Sequence, residues 1–455
     1  MLVSGIINEL ICSSSDTVVV AFFFCQATDL RLSHAIAVLR GLIFMLIDKR
    51  PSLISHVRKE YDKSGKSLFE DVNAWAALAK IFTNILDDPL LQDPYLIIDG
   101  LDECNTGVGL LIDLITENTS TYPHIKWVVS SRNWPDIEER LDVATQKVTL
   151  WLEVNEESVA QAVTLFIRYK VQKLKALKRY KDEVCDTVTQ YLASNAHGTF
   201  LWVALVCEEL AKAKPWDTRH QLTAFPAGLH CLYERMILRL LQEKDVQLYQ
   251  RILGILLAAY RPMSLDELPG LVDMPNTDED ELLEGIVRTC GSFLTIRGRD
   301  IFFVHQSAKD FLLKDASNVI IPRGIGAEHY IIFRRSLKIL QVLRRDMYSL
   351  KLPGFPIDQV KKPSPDPLAA IQYSCIYWVN HLEDWCASGN TDCAYLEEGE
   401  LIEEFFKQRF LHWVEAMSLL GRISEAITAM IQLDDLLHVS ELLEGIIAST
   451  TLTLI

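Results

Sequence analysis

The sequence predicts an α/β segment followed by an all-α remainder, and three observations carry that prediction. Strand-like and helix-like patterns alternate up to about residue 150, an apolar run ends in clustered acids at 95–104, and the apolar spacing turns helical from Asn155 onward. At 455 residues the chain is long enough for two or three domains with sizeable cores.

The alternation begins with TVVVAFFFC from Thr17, β-branched and aromatic and so a strand, followed by HAIAVLRGLIFMLI from His34 and WAALAKIFTNIL from Trp75 as helices. YLIID (95–99) predicts a buried strand, VGLLIDLITEN from Val108 a helix, and IKWVVSS from Ile125 a strand. Such an order implies a parallel sheet wrapped by helices. Asn133 as N-cap, Pro135 in the first turn and Asp136 announce the helix DIEERL, and KVTLWLEV from Lys147 supplies a last strand.

Beyond that point Val159, Ala162, Val163, Phe166, Ile167, Val171 and Leu174 recur at three and four, with Asn155 as N-cap. A second helical stretch covers about 183–213, breaks fall at Lys214–Trp216 and Phe225-Pro226, and GLHCLYERMILRLLQ follows as a helix. Residues 245–315 read as three helices (247–259, 264–272, 279–289) and a hairpin turning at Arg297-Gly298-Arg299-Asp300, the outline of a small winged-helix domain. Arg323 to Gln341 is helical, LKLPGFPIDQVKKPSPDP from Leu350 is the clearest linker, and Leu368 to about Leu443 is helical again. The expected domains are therefore 1–152 (α/β), 153–243 (helical), 244–318 (winged-helix-like), 319–349 (connector), 350–367 (linker) and 368–455 (C-terminal helical region).

Composition removes several classes of function. With 45 basic against 61 acidic residues the net charge is −16, a field that repels polyanions and argues against nucleic acid or an anionic membrane as a general partner. The one dense basic run, KVQKLKALKRYK from Lys170, suits the solvated face of a helix. Ten scattered cysteines form no CxxC and no zinc spacing, which suits a reduced, cytoplasmic setting. The longest apolar run, Thr17 to Cys25, is too short to cross a bilayer, and residues 1–11 lack the charged start of a signal peptide. Dinucleotide, Gly-x-Ser-x-Gly and HExxH fingerprints are absent from the sequence.

The chemistry concentrates in YLIIDGLDEC, Tyr95 to Cys104. Acids clustered where a parallel strand leaves the sheet suit a Mg²⁺ ion and the phosphates it bridges, because Mg²⁺ takes one or two carboxylates and keeps its other positions for water and phosphate. Asp99 is the metal-side candidate, and Glu103 or Asp102 the group that polarises an attacking water. The plainer reading is an acidic loop capping a helix. Gly65-Lys66-Ser67 is the one Gly-Lys-Ser in the sequence, but Glu60 stands where a phosphate loop needs glycine and LISHVRKEYDK before it reads as a helix.

The same decapeptide resembles the Walker B box of NACHT domains, nucleotide switches of signal-transducing NTPases. AFFFCQATDLRLSHAIAVLRGLI from Ala21, KWVVSSRNWPDIEERL from Lys126, GTFLWVALVCEEL from Gly198, FPAGLHCLYERM from Phe225 and FFVHQSAKDFLL from Phe302 resemble, in that order, the fungal heterokaryon-incompatibility branch. The resemblance implies an incomplete P-loop-type sheet, because MLVSGIINELI resembles the helix directly after the family's Gly-Lys-Thr. It also implies ATP or GTP with Mg²⁺, or no cofactor if the loop is missing. Arg132 resembles the residue that senses the γ-phosphate, and its planar fork suits phosphate oxygens; the plainer reading pairs it with Asp136 or Glu139. His305 matches the position at which relatives hold a winged-helix histidine on the β-phosphate; the plainer reading is a strand-end histidine satisfied by backbone. Phe200 and Trp202 are expected in the core, and Lys66 at a helix end.

Two functions follow. One is a NACHT-type switch in fungal self/non-self recognition and programmed cell death, acting through protein partners or homo-oligomers, with weak or absent hydrolysis of its own. The other is a nucleotide-free interaction scaffold or a non-functional remnant.

Overall fold

Period-two alternation along three short strands builds the first sheet. β1 (Val20–Phe24), β2 (Tyr95–Asp99) and β3 (Lys126–Val129) run parallel in that order, with Ala21 beside Leu96 and Ile97 beside Val128. Successive side chains point to opposite faces. Val20 and Ile97 face one side, where Val3 and Ile7 of the helix Leu2–Ser13 cover them. Ala21, Leu96 and Ile98 face the other, where the helices Ala35–Lys49, Ala74–Leu86 and Val108–Thr121 bury them. Gly41 lets the first of these three helices lie close to the sheet, since a Cβ there would stand 2.4 Å from the Phe23 ring. The central strand is thus covered on both faces, which is why YLII reads as a continuous apolar run.

The computed structural model describes residues 2–13, 18–65, 74–132, 135–142, 156–242, 245–272, 279–351, 355, 359–388 and 395–438. The expected strand 147–154, the N-caps Asn133 and Asn155, Lys66 with Ser67, part of the Pro-rich stretch and the last seventeen residues (439–455) lie outside them. The chain divides into two units, Met1–Thr149 and Leu150–Ile455.

In the second unit the helices Glu156–Lys178, Asp182–Asn195, Phe200–Lys212 and Leu229–Leu240 share one apolar core, with Trp202 fully buried in it. Phe200 is half-buried and meets Phe166 edge to face. The helical stretch expected over about 183–213 is two helices, parted where His197 and Gly198 both take positive φ and Thr199 restarts the chain. The chain then passes through Val246–Ala258, a two-residue strand β4 (Met263–Ser264), a short helix Leu268–Leu271 and the helix Glu279–Thr289. The expected helix over 264–272 is therefore mostly a strand and a turn: Pro269 shortens the helix, and Ser264 pairs with the hairpin. That hairpin, β5 (Leu294–Arg297) and β6 (Asp300–Phe303), turns at Gly298-Arg299 and completes an antiparallel sheet of order β4-β6-β5. After Gln306–Lys314, the helices Ile325–Ile339 and Gln372–Ala387 pack along each other and lead to Tyr395–Gln408, Phe410–Leu419 and Ile423–His438. Within this helical region the chain breaks at Arg409, between the helices Tyr395–Gln408 and Phe410–Leu419. Trp378, Phe405 and Trp413 form the centre of their core. No helix among the described residues is long and apolar enough to cross a membrane.

Candidate functional site

The site sits where the three parallel strands end. Asp99 is the last residue of β2, and the chain turns at once because Gly100 takes φ 72 and ψ 50, a left-handed conformation that favours glycine. The register Ile98 to Val129 sets Asp99 beside Ser130 on the neighbouring strand end. There the Ser130 hydroxyl donates to Asp99 Oδ1 and accepts the Gly100 N–H at 2.9 Å. Backbone bonds complete the clamp: Ser130 N donates to Ile98 O at 2.9 Å, Leu101 N to Ser130 O at 2.8 Å, and Cys25 N to Asp99 O at 2.9 Å.

A short 3-10 turn, Leu101–Glu103, then sends its two acids in different directions. Asp102 is engaged on both oxygens by one residue: Arg132 N–H donates to Oδ1 at 3.0 Å, and Arg132 Nε lies 3.3 Å from Oδ2. The Asp102 side chain is only 6% exposed, while that of Arg132 is 45% exposed. Glu103 instead reaches back to the loop after β1, accepting the Ala27 N–H at 3.1 Å. Burial pushes the Glu103 carboxyl above its ordinary range; the Ala27 N–H and Arg132 oppose this, while Asp102 and Asp99 add to it.

The loops behind these acids are stitched together. Asn105 N donates to Ser33 O at 2.7 Å, Ala35 N to Thr106 O at 2.9 Å, and His34 Nδ1 caps the following helix by accepting Ala37 N–H at 3.0 Å. Burial also raises both nearby thiols, Cys104 to about 11 and Cys25 further, so neither is a ready nucleophile.

Asp99, Asp102, Glu103 and Arg132 thus meet at one sheet edge. Arg132 pairs with Asp102, the acid of the same cluster, and this pairing is the one the plainer sequence reading did not anticipate. His305 belongs to the second unit. Its Nδ1 accepts the Ser307 N–H at 3.1 Å and so caps the helix Gln306–Lys314, which places the proton of the neutral imidazole on Nε2. Ser307 Oγ, 2.8 Å from the same nitrogen, also meets Tyr233 OH at 3.1 Å. Sequence reasoning passed over Ser130, and its one signal is a hydroxyl placed directly after an apolar strand next to the acid-tipped one.

Among the described residues no three His, Cys, Asp or Glu side chains converge as a metal cage. A Mg²⁺ ion needs no such cage, since one oriented carboxylate with water and phosphate oxygens satisfies it. Asp99, fixed by Ser130, fits that single-carboxylate role.

Residues 1–132 match the family model described as Nephrocystin 3, N-terminal. Over 456 aligned residues the chain is 49% identical to the vegetative incompatibility protein HET-E-1 of Podospora anserina, covering 96% of this chain and 34% of that protein. The chain belongs to the fungal NACHT-type incompatibility family. This NACHT-type chain spans about a third of the length of that relative (34%). The aligned share takes in both the acid-tipped strand end and nearly all of the second, helical unit.

Proposed function

We propose that the strand-end cluster is one wall of a Mg²⁺–nucleotide pocket in a signal-transducing switch. The observation that carries this reading is the clamp in which Ser130 holds both Asp99 and the Gly100 N–H, beside an Arg132 steered by Asp102. Asp99 would hold the metal, whose charge neutralises phosphate oxygens when it is bound. Arg132, its guanidinium partly exposed, would answer the γ-phosphate. Asp102 acts as a positioning residue, because both its oxygens hold Arg132. Glu103, with its carboxyl raised and one oxygen fixed by Ala27, is the better candidate to orient a water. For His305 the assignment to the β-phosphate rests on the family resemblance. Residues 1–455 contain no Gly-x-x-x-x-Gly-Lys-Ser/Thr, and that backbone cradle with its lysine supplies most phosphate contacts. Hydrolysis by these residues alone is accordingly weak or absent. In the whole protein the output would be fungal self/non-self recognition and cell death, in the cytoplasm, through protein partners or homo-oligomers.

One observation favours a second reading, a nucleotide-free scaffold. Asp102 and Glu103 already have internal partners, so the cluster serves as a structural brace without any ligand.

Equilibrium dialysis of the folded chain against ATP or GTP with Mg²⁺ separates the two. The switch reading expects weak, Mg²⁺-dependent retention that Asp99→Ala abolishes and Arg132→Ala lowers about tenfold to a hundredfold, the worth of hydrogen bonds to a charged group. Retention unchanged by Asp99→Ala, or none at all with a cooperatively unfolding chain, would leave the scaffold.

A further inference from the structure

A closed polar ring lies inside the second unit, away from any role in the switch reading. His329 on the helix Ile325–Ile339 and His381 on the helix Gln372–Ala387 set their Nδ1 atoms 2.8 Å apart. His381 Nε2 lies 2.9 Å from Tyr373 OH, which accepts the Tyr260 N–H at 3.1 Å. Tyr260 OH donates to Asp384 Oδ2 at 2.6 Å, and the same oxygen lies 3.6 Å from His329 Nε2. His381 is fully buried, Tyr373 is 1% exposed and His329 8% exposed. Three separate segments are joined by this ring: the corner after Val246–Ala258 and the two paired helices.

Proton counting shows what the ring can tolerate. With both imidazoles neutral, one arrangement satisfies every hydrogen bond of the ring and turns the remaining proton toward Asp384. Tyr373 OH donates to His381 Nε2, His381 Nδ1–H donates to His329 Nδ1, and His329 Nε2–H faces Asp384. A proton taken from solvent has two places to go. On His329 Nδ1 it opposes the His381 Nδ1–H; on His381 Nε2 it opposes the Tyr373 hydroxyl. Either position leaves a buried donor of the ring without its acceptor, and a buried polar group that loses its partner is costly.

We propose that the His329–His381 pair is an acid-sensitive latch that docks the helix Gln372–Ala387 onto the helix Ile325–Ile339 and the Tyr260 corner, and that proton uptake releases it. Charges around it set the direction. Burial holds both imidazoles below their ordinary value, His381 furthest, with Lys309 on Gln306–Lys314 adding to this for His329 and Asp384 opposing it. Lys309 is itself lowered to about 8 by burial. Arg261, paired with Glu267, faces the Tyr373 ring from the remaining side, 5.2 Å from its centroid. The released form therefore binds protons that the latched form refuses. Latching is complete above about pH 6.5, the ordinary histidine value, and weakens as the pH falls below it. Glu328, raised by burial on the same helix, works the other way, since protonating its carboxyl favours the latched form.

Hydrogen exchange of helix 372–387 at pH 7.5 and 5.5, corrected for the intrinsic pH dependence, tests the latch on the intact chain. The expected opening is greater at pH 5.5 by up to about tenfold per imidazole, up to about a hundredfold for the pair. In a His329→Gln, His381→Gln chain the pH dependence flattens. Should that variant fail to fold, ¹⁵N-histidine spectra of the wild type decide: two imidazoles that stay neutral at pH 6 while exchange in the helix rises support the latch. Equal pH dependence in wild type and variant, or titration of both imidazoles near 6.5 without any change in exchange, overturns it.

Discussion

Two polar clusters of this chain are built on opposite principles. At the end of β2 Asp99 and Glu103 are half-buried, and Asp102, its side chain buried, holds the partly exposed guanidinium of Arg132 beside them. Inside the second unit His329, His381, Tyr373, Tyr260 and Asp384 close on one another, and three of the four hydrogen bonds join two elements, the His381–Tyr373 bond lying within one helix. Spare hydrogen-bonding capacity at a strand end is what a ligand needs; buried groups bonded to one another are what a joint needs. The contrast predicts that substitutions in the ring cost stability, whereas those at the strand end cost binding.

The largest expected effect is Arg261→Ala. It leaves Glu267, 3% exposed, as a buried charge without its bidentate partner, and a broken buried pair costs roughly 3–5 kcal/mol. Urea unfolding followed through the second unit would register it. Tyr373→Phe comes next. Removing that hydroxyl strands the Tyr260 N–H and His381 Nε2, at roughly 1–3 kcal/mol, again read from urea midpoints.

Ser130→Ala at the strand end should be milder, about 1 kcal/mol, because Asp99 is nearer to solvent and its backbone bonds remain. A loss as large as that of Tyr373→Phe would erase the distinction between the clusters. Arg132→Ala should change stability by less than about 1 kcal/mol, since its pairing is partly exposed and the backbone N–H to Asp102 survives, while phosphate retention in dialysis falls. Smallest is Glu103→Gln. A carboxyl raised by burial opposes folding when ionised, so the amide should raise the melting temperature at pH 7.5, and the gain should vanish as the pH falls through the carboxyl range. No gain at either pH would mean that the Ala27 N–H already offsets the burial.

Much of the first unit was legible because local pattern and environment agree there. YLIID is apolar throughout since helices cover both faces of β2, and its acid tip follows from the strand ending at the rim. Where the reading slipped, backbone conformation was the cause. His197, an L-residue at φ 46, breaks a stretch whose apolar spacing runs on regardless, and Ser264 enters a strand because a hairpin 36 residues later offers it a partner at Asp300. The role of Ser130 depends on register, which no property of VVSS contains.

What the residues settled alone was the order of the described strands and main helices of the first unit, the acid-tipped strand and the family, since these rest on local periodicity and on contiguous motifs. What folding decided was partnership. Arg132 holds Asp102 across 30 positions, and His329 meets His381 across 52. Hydrogen bonds act over about 3 Å in space and are blind to chain separation, so only the folded backbone could bring those groups together.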